Sequence, residues 1–298
     1  MIVLIHNDME LWDFMTEGLK LRDDVYDIPL NRYCSIINRL FRKYFRNNHL
    51  PATAVFGNHL LKILKGLKSG DKVVVCDYSQ ACLFYAIKEL TLPEVKLSLW
   101  LWNPIKNGRE LISDIKLLKT LGVKCSTFDS EDAKTFNLNH LNTFYNMNVP
   151  RDLDDDHEIK YDFYFLGVPK DRGDIIKQMQ DNLSSYNNLF VVPLHPSQYI
   201  TYSENIRNIK SARCLVDITQ QQQYDITLRP LEALAYERKL ITNNVNIKEY
   251  PFYRSNNIFI WGVDNLETLC EFLSTPYDNS VESDIRHMFD VNYWLDRV

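Results

Sequence analysis

The sequence predicts an α/β protein built from two domains with parallel sheets. Short apolar runs alternate with amphipathic segments along the 298 residues, as in strands joined by helical crossovers. The same pattern restarts after residue 160. Length agrees with this division, because a domain typically takes roughly 150 residues. The composition, 45% hydrophobic and 24% charged, is that of a folded globular protein.

In the first half, apolar runs of four to six residues predict strands at Ile2–Ile5, Lys72–Cys76, Leu97–Trp102 and Val123–Phe128. Two segments between them have helical periodicity, Ser79–Leu90 and Arg109–Leu121. Gly122 follows the second of these segments, where the C-cap of a helix belongs. Each helix therefore separates two strands, which favours parallel pairing with right-handed crossovers.

The second half repeats this alternation. Its predicted strands are Asp162–Leu166, Leu189–Val192, Ala212–Asp217, Lys239–Thr242 and Asn257–Trp261. The segments with helical periodicity are Gly173–Tyr186, Leu228–Tyr236 and Asn265–Leu273.

An acidic segment divides the two halves. Asn148–Glu158 carries one proline and five acids among few apolar residues, which predicts a linker. We therefore expect one domain in residues 1–150 and a second in residues 160–280. Val281–Val298 is predicted as a C-terminal helix that packs across the junction. Two such domains would leave a cleft between them, and ligands of open α/β sheets bind beyond the carboxyl ends of the strands.

Composition excludes several classes of function. The formal charge is −5 and the pI is about 5.8, so electrostatic binding of nucleic acid is not expected. The chain has 9 glycines in 298 residues, and none of them forms a GxGxxG turn or a GxxxxGK[ST] phosphate loop. Six scattered cysteines without a CxxC pair indicate a reducing compartment. The sequence shows neither a signal peptide nor a run of 18 apolar residues, which favours a cytoplasmic protein.

The start of one predicted helix has the residues of a phosphate site. Thr227 stands at its N-cap, and Pro230 is tolerated in the first turn. The unpaired N–H groups of a helix start attract phosphate. Arg229 and Glu232 are three residues apart and share one helical face, where a guanidinium could bind phosphate and a carboxylate could bind ribose hydroxyls. The alternative is a surface Arg–Glu pair on a core helix.

This segment resembles a known family. The run from Thr227 to Asn244, TLRPLEALAYERKLITNN, resembles the donor-site helix of GT-B glycosyltransferases. It is most similar to the enzymes of bacterial capsule, O-antigen and lipopolysaccharide biosynthesis. Further elements of the resemblance are Leu215–Ile218, Gln223, Ile247, Tyr250, Phe252-Tyr253, Asn257-Ile258, the stretch Tyr161–Gly173, and Leu101–Pro104 in the first half.

The resemblance implies two Rossmann-like domains facing a cleft and the transfer of a sugar from a nucleotide-activated donor. The acceptor would be a glycan or a lipid-linked glycan, bound by the first domain, and no cofactor is implied. The implied donor-binding residues are Gly167, Lys170, Arg172, Thr227, Arg229, Glu232 and Asn243. The alternative for Lys170 and Arg172 is a solvated turn, and the alternative for Asn243 is a turn-forming residue. Tyr224-Asp225-Ile226 departs from the pattern, because it replaces a glycine-containing turn.

A general base for sugar transfer is expected at a strand end of the first domain. Asp77 follows the strand Lys72–Cys76 and is the first candidate, Asp8 is the second and His6 the third. The alternative for each acid is a cap or turn residue. His195 lies between Leu194 and Pro196 and is interpreted as a loop-forming residue.

No metal site is expected. Asp154-Asp155-Asp156 has the DxD spacing of metal-dependent GT-A glycosyltransferases, but it lies in the acidic linker instead of following a buried strand. A metal-dependent GT-A enzyme remains one alternative. A non-catalytic glycan-assembly subunit is another, because the first half matches the family only at scattered points.

The segment Asn31–Leu50 is basic and amphipathic. It contains five basic residues and no acid, and its apolar residues form a helical stripe. One hypothesis is attachment to the inner face of the cell membrane, because a basic amphipathic helix suits an anionic leaflet. The alternative is a core helix with a solvated basic face. The cations concerned are Arg32, Arg39, Arg42, Lys43 and Arg46.

Overall fold

The computed structural model describes residues 1–105, 109–149, 158–220 and 223–298. These residues form two compact units, each with its own parallel sheet. The first unit comprises Met1–Asn142 and Leu295–Val298, and the second comprises Thr143–Trp294. The division falls ahead of the acidic segment, of which residues 150–157 lie outside the described ranges.

The first unit contains a six-stranded sheet with the order β2-β1-β3-β4-β5-β6, in which neighbouring strands pair in parallel. Strands β1 and β3 are buried almost throughout, as their continuous apolar sequences require. The strands are β1 Ile2–His6, β2 Val25–Pro29, β3 Lys72–Cys76, β4 Lys96–Leu101, β5 Lys124–Thr127 and β6 Asn139–His140.

Helices cover this sheet and close its core. Leu64, Phe84 and Leu118 come from three of these helices and are fully buried in one cluster with the strand valines. The helices are α1 Glu10–Met15, α2 Ile36–Tyr44, α3 Ala52–Val55, α4 Asn58–Lys65, α5 Ala81–Leu90, α6 Arg109–Thr120 and α7 Ser130–Phe136, with 3₁₀ turns at Glu17–Leu21 and Leu30–Tyr33.

The second unit contains a five-stranded parallel sheet with the order β11-β10-β9-β7-β8. Its strands are β7 Tyr161–Leu166, β8 Asn188–Val191, β9 Ala212–Asp217, β10 Lys239–Thr242 and β11 Ile258–Ile260. The helices in this part of the chain are α8 Gly173–Asn182, α9 Tyr202–Lys210, α10 Leu228–Ala235, α11 Leu269–Ser274, α12 Ser283–His287 and α13 Val291–Arg297, with 3₁₀ turns at Pro196–Gln198, Val245–Glu249 and Leu266–Thr268.

In both sheets, the strands are added first on one side of the opening strand and then on its other side, so the direction of strand addition reverses at one point. Numbered along each unit, the strands follow the order 2-1-3-4-5, and the first sheet adds a sixth strand. The reversal therefore lies between β1 and β3 in the first sheet and between β7 and β9 in the second. Ligands of doubly wound sheets bind beyond the carboxyl ends of the strands at such a switch point.

Every predicted strand is present with ends shifted by no more than one residue, and the mixed α/β class with two parallel sheets is confirmed. The sequence analysis missed β2 and β6. Strand β2 lies beside β1 and is only partly buried, and its Asp27 and Pro29 interrupt the apolar pattern. Strand β6 is exposed and has only two residues.

The predicted basic helix differs from the structure in length and in orientation. Helix α2 covers only Ile36–Tyr44, and its apolar residues are mostly exposed. Arg42 is buried, and Arg46 forms an ion pair with the buried carboxylate of Asp114. The expectation that both cations face lipid is therefore wrong. They satisfy buried acceptors inside the first unit instead.

The C-terminal segment is not one helix. It forms α12 and α13, separated by Met288–Asp290. The backbone turns here because Tyr145 pairs with Asp290, with Tyr145 N donating to Phe289 O at 2.9 Å and Val291 N to Tyr145 O at 3.1 Å. Within the described ranges, no helix has both the length and the apolar character needed to cross a bilayer.

Candidate functional site

The switch point of the second sheet collects polar side chains from the connections that follow β7 and β9. Strand β7 ends at Leu166 and is followed by the loop Gly167–Arg172, and β9 ends at Asp217. Helix α10 begins nearby, because Thr227 donates from Oγ1 to Asp217 Oδ1 at 2.7 Å. The structure thus brings together Gly167, Arg172, Thr227 and the residues of the α10 helix start.

Arg172 spans the two loops at this switch point. Its Nη1 donates to the carbonyl of Ile218 and its Nε to Val168 O at 3.2 Å, and the guanidinium lies over the Phe165 ring. A Cβ at Gly167 would lie 2.6 Å from Arg172 Nη2, so a larger residue at that position would displace the guanidinium. Burial lowers the pKa of Arg172, although the nearby Asp217 carboxylate opposes this shift.

Asp217 anchors the start of α10. It is almost fully buried, and its two oxygens accept from Thr227 Oγ1 and from Thr242 Oγ1 (2.9 Å). Thr227 also accepts from Arg229 N at 3.1 Å and so caps the helix, as its position in the sequence predicts. Burial raises the pKa of Asp217, whereas the two hydroxyl donors act in the opposite direction.

Arg229 and Glu232 form a buried ion pair, with Nη1 2.6 Å from Oε2. Arg229 also lies over the Tyr164 ring, and its Nη2 is 3.4 Å from Leu166 O, so it reaches the end of β7. Burial is the largest single influence and lowers the pKa of Arg229, but the Glu232 carboxylate together with Tyr164, Tyr202 and Asp217 outweighs it, so the pKa of Arg229 is raised. The predicted pair on one helical face is therefore present, although it is buried.

Glu232 is bonded on both oxygens. Its Oε1 accepts from Tyr202 OH at 2.5 Å and from Asn205 Nδ2 at 3.0 Å, while Oε2 meets Arg229. Only 2% of the residue is exposed. The sequence led us to expect a carboxylate open to ribose hydroxyls, and a nucleotide would have to displace one of these partners to reach it.

Sequence analysis missed the partners of Glu232. Tyr202 and Asn205 lie on α9, about thirty residues earlier in the chain, and the Tyr202 oxygen is 3.0 Å from the Tyr145 hydroxyl. Asn205 also accepts from Tyr164 OH at 2.9 Å. The available signal was the spacing of Tyr202 and Asn205, which places both on one face of a helix capped by Thr201.

The remaining donor-site candidates are placed differently. Asn243 lies at the end of β10, where its Oδ1 accepts from Thr219 N at 2.8 Å and orders the loop after β9. Lys170 is exposed and has a positive φ of 44°, so it lies at the turn of the loop after β7. His195 caps the 3₁₀ turn Pro196–Gln198, which confirms its interpretation as a loop residue.

Asp77 lies at the switch point of the first sheet, directly after β3. Its φ is 61°, and its carboxylate accepts from the Trp102 amide N–H at 2.8 Å and from Asn103 Nδ2 at 3.3 Å. Burial raises the pKa of Asp77 to about 6, and the two amide donors partly offset this effect. An acid that titrates near neutral pH at a strand end has the properties of a general base.

Asp8 and His6, the other two candidates for the general base, are bonded to neighbouring residues. Asp8 forms an ion pair with Arg32 at 2.8 Å, and Arg32 also meets Asp13. His6 is only 1% exposed, with Nε2 2.8 Å from Asp27 Oδ1 and Nδ1 2.7 Å from Asn7 O. Its ring also stacks on Trp12. These contacts favour structural roles for Asp8 and His6.

Asp154-Asp155-Asp156 lies outside the described residues. Within the ranges that are described, no group of three or more His, Cys, Asp or Glu side chains has the geometry of a metal site.

No protein-family model and no curated protein sequence matches this chain. Among solved structures, it is similar to AviGT4, a glycosyltransferase involved in avilamycin A biosynthesis, with a TM-score of 0.54 and 10% sequence identity. The match covers 99% of this chain and 95% of that chain. This chain therefore has the fold of a known glycosyltransferase.

Proposed function

We propose that this protein is a metal-independent GT-B glycosyltransferase that transfers a sugar from a nucleotide-activated donor to a surface-polysaccharide acceptor. The observation that carries the proposal is the pair of guanidinium groups, Arg172 and Arg229, at the switch point of the second sheet. Both groups reach the end of β7 or the loop after it. The glycosyltransferase fold supports the same reaction.

Two guanidinium groups at a helix start suit the diphosphate of a nucleotide sugar. Arginine binds phosphate oxygens through paired N–H donors, and the N–H groups at the start of α10 add to the positive potential. During transfer, the anomeric C–O bond breaks and negative charge develops on the leaving diphosphate. Arg172 and Arg229 would stabilise that charge, so that no metal ion is needed.

We assign Glu232 a positioning role toward Arg229. Its carboxylate fixes the guanidinium at 2.6 Å while Tyr202 and Asn205 hold the other oxygen. A buried charge needs such partners, because an unpaired ion in the interior is costly. The family resemblance implies instead that Glu232 binds ribose, which predicts that Glu232→Gln weakens nucleoside binding as well as diphosphate binding.

Asp77 is assigned as the general base of an inverting transfer. The acceptor hydroxyl would lose its proton to Asp77 as its oxygen forms the bond to the anomeric carbon, while the nucleoside diphosphate leaves with the bonding electrons. A pKa of about 6 leaves Asp77 mostly ionised at neutral pH yet basic enough to accept a proton. The acceptor we propose is a capsule, O-antigen or lipopolysaccharide glycan, in free or lipid-linked form.

Calorimetric titration with a panel of nucleoside diphosphates, and with the matching nucleosides, tests the donor site. Arg172→Ala and Arg229→Ala should each weaken diphosphate binding by about 10- to 100-fold, because a charge-assisted contact is worth about 1.5–3 kcal/mol. Nucleoside binding by these variants should change little. EDTA should change neither diphosphate binding nor nucleoside binding. Arg213→Ala, on an exposed arginine at the other end of β9, is the matched control and should bind as wild type does.

Glu232→Gln separates the two roles of that residue. Loss of diphosphate binding alone indicates positioning of Arg229, whereas loss of nucleoside binding as well indicates ribose contact. Wild-type diphosphate affinity in both arginine variants would overturn the donor site. Donor binding without turnover of any nucleotide sugar would instead favour a non-catalytic glycan-assembly subunit.

A further inference from the structure

Helix α2 is oriented with its apolar side outward. Four of its five large apolar residues are strongly exposed, whereas Asn38 and Arg42 on the opposite side are 7% and 4% exposed. Residues at i, i+4 and i+8 form one ridge along a helix, so Ile36, Leu40 and Tyr44 share a face. The exposed fractions are 73% for Ile36, 63% for Ile37, 47% for Leu40 and 68% for Tyr44.

This orientation is fixed by buried hydrogen bonds. Asn38 Nδ2 donates to Thr53 O and to Ala54 O, both at 3.0 Å, and Arg42 Nη1 donates to Val55 O at 2.6 Å. These carbonyls belong to the short helix α3, whose last turn has no further intrahelical donors. A rotation of α2 that buried its apolar side would leave them unsatisfied.

The exposed face is also positively charged. Arg39 and Lys43 are exposed on α2, and the whole segment Asn31–Leu50 contains no Asp or Glu. Arg39 donates to Asn31 O, and Lys43 Nζ lies 5.5 Å from the Tyr44 ring centroid. Neither contact neutralises the positive charge. Arg32, by contrast, is held in ion pairs by Asp8 and Asp13.

We propose that α2 binds the surface of an anionic lipid bilayer, with Ile36, Ile37, Leu40 and Tyr44 inserted at the boundary between headgroups and acyl chains. An exposed apolar face flanked by basic residues and free of acids suits this environment. A second copy of the chain fits the face less well, because pairing α2 with itself would bring Arg39 and Lys43 of both copies together. The membrane surface instead complements both the apolar and the basic character.

Vesicle co-sedimentation of the full chain tests the proposal without any donor or acceptor, so its outcome is independent of the sugar-transfer activity. The protein should bind phosphatidylcholine vesicles that contain phosphatidylglycerol, and raising the salt concentration should weaken this binding. Ile36→Ser/Ile37→Ser/Leu40→Ser should lower it by 10-fold or more. Arg39→Gln/Lys43→Gln should abolish the preference for anionic vesicles, because each basic residue contributes about fivefold.

The matched control is Leu21→Ser/Leu92→Ser, which removes two apolar side chains that are 92% and 50% exposed elsewhere in the first unit. This variant should bind vesicles as wild type does. Thermal unfolding of each variant checks that the fold is retained. The proposal would be overturned if the wild-type protein did not bind anionic vesicles. It would also be overturned if the Ile36→Ser/Ile37→Ser/Leu40→Ser variant bound them as tightly as wild type. A wild-type dimer that dissociates in this variant would overturn it as well, because α2 would then bind a second copy.

Discussion

Asp77 is unusual in both its backbone and its side chain. A φ of 61° places it in the left-handed region, which Asp and Asn tolerate better than most residues. This conformation turns the chain directly after β3, where the carboxylate receives the Trp102 amide. The half-buried carboxylate then has its pKa raised to about 6. Backbone strain and a raised pKa at one strand end are typical of a functional residue.

Asp77→Asn should abolish activity and stabilise the first unit at high pH. The folded pKa of about 6 lies above the ordinary aspartate value of 3.8, so wild-type stability falls as the pH rises through this window. Above pH 6 the folded protein bears the full cost of a buried charge, roughly 1–3 kcal/mol, which asparagine removes. Denaturant unfolding should therefore give a higher free energy of unfolding for Asp77→Asn than for wild type at pH 8. This difference should disappear near pH 4.

Asp8→Asn is the control for this measurement. It removes a carboxylate from the neighbouring strand end, but that carboxylate is paired with Arg32. Because an exposed ion pair contributes little, Asp8→Asn should be neutral or slightly destabilising at pH 8. An Asp77→Asn variant that loses stability at pH 8, or that retains activity, would contradict the assignment.

Helix α10 begins where its sequence predicts, and Thr227 makes two hydrogen bonds at this helix start. Thr227 accepts from Arg229 N as the N-cap, and it donates to the buried carboxylate of Asp217. Pro230 fits because the first turn of a helix needs no N–H at that position. The local sequence therefore defines the helix start, while the contact with Asp217 ties it to β9.

Thr227→Ala should destabilise the protein more than an ordinary loss of a cap. It removes the cap, worth about 1 kcal/mol, and leaves one oxygen of a buried carboxylate without its donor, which costs a further 1–3 kcal/mol or so. Thr201→Ala is the matched control, because Thr201 caps α9 by accepting from Glu204 N and the capped end is exposed. Denaturant unfolding gives both values, and Thr227→Ser should restore stability. Equal losses of unfolding free energy in Thr227→Ala and Thr201→Ala would contradict the dual role of Thr227.

Helix α2 shows where an amphipathic pattern misleads. Its apolar stripe predicts a buried face, because most surface helices bury their apolar side. In the protein, the carbonyls of Thr53, Ala54 and Val55 require donors, and Asn38 and Arg42 supply them. Hydrogen-bond demand from α3 therefore determines which side of α2 faces inward.

The last residues of the chain return to the amino ends of β3 and β5 in the first sheet. Leu295–Val298 belong to the first unit although they end the chain. Lys72 Nζ donates to Val298 O at 2.9 Å and Lys124 Nζ to Arg297 O at 2.8 Å, while the Leu295 and Val298 side chains are buried. Burial lowers the pKa of Lys72, and neighbouring cations add to this effect.

Removal of Leu295–Val298 should loosen the first sheet. Two buried aliphatic side chains are worth about 1.5–3 kcal/mol each, and the Lys72 amine would lose both carbonyl partners. Hydrogen exchange should show lower protection in β3 and β5, with β9 and β10 much less affected. Asp296→Asn, which removes only the exposed ion pair with Arg22, is the control and should leave protection unchanged. Unchanged protection of β3 after the deletion would contradict this role.

The sequence by itself determined the fold class, nearly all strands and the start of α10. These features follow from local properties, namely continuous apolar runs, helical periodicity and a threonine at an N-cap. It also brought Arg229 and Glu232 to one face, since a helix places residues three apart side by side. Strand β2 escaped prediction because a partly buried strand with Asp27 and Pro29 has no such pattern.

Only the tertiary structure decided how these residues are used. It buried Glu232 against Tyr202 and Asn205, turned the apolar side of α2 outward and paired Asp8 with Arg32. It also raised the pKa of Asp77, because that shift comes from the burial of the carboxylate in the folded chain. The physical reason is the same in each case. Desolvation and hydrogen bonding depend on partners that are distant in sequence, and a local pattern contains no information about them.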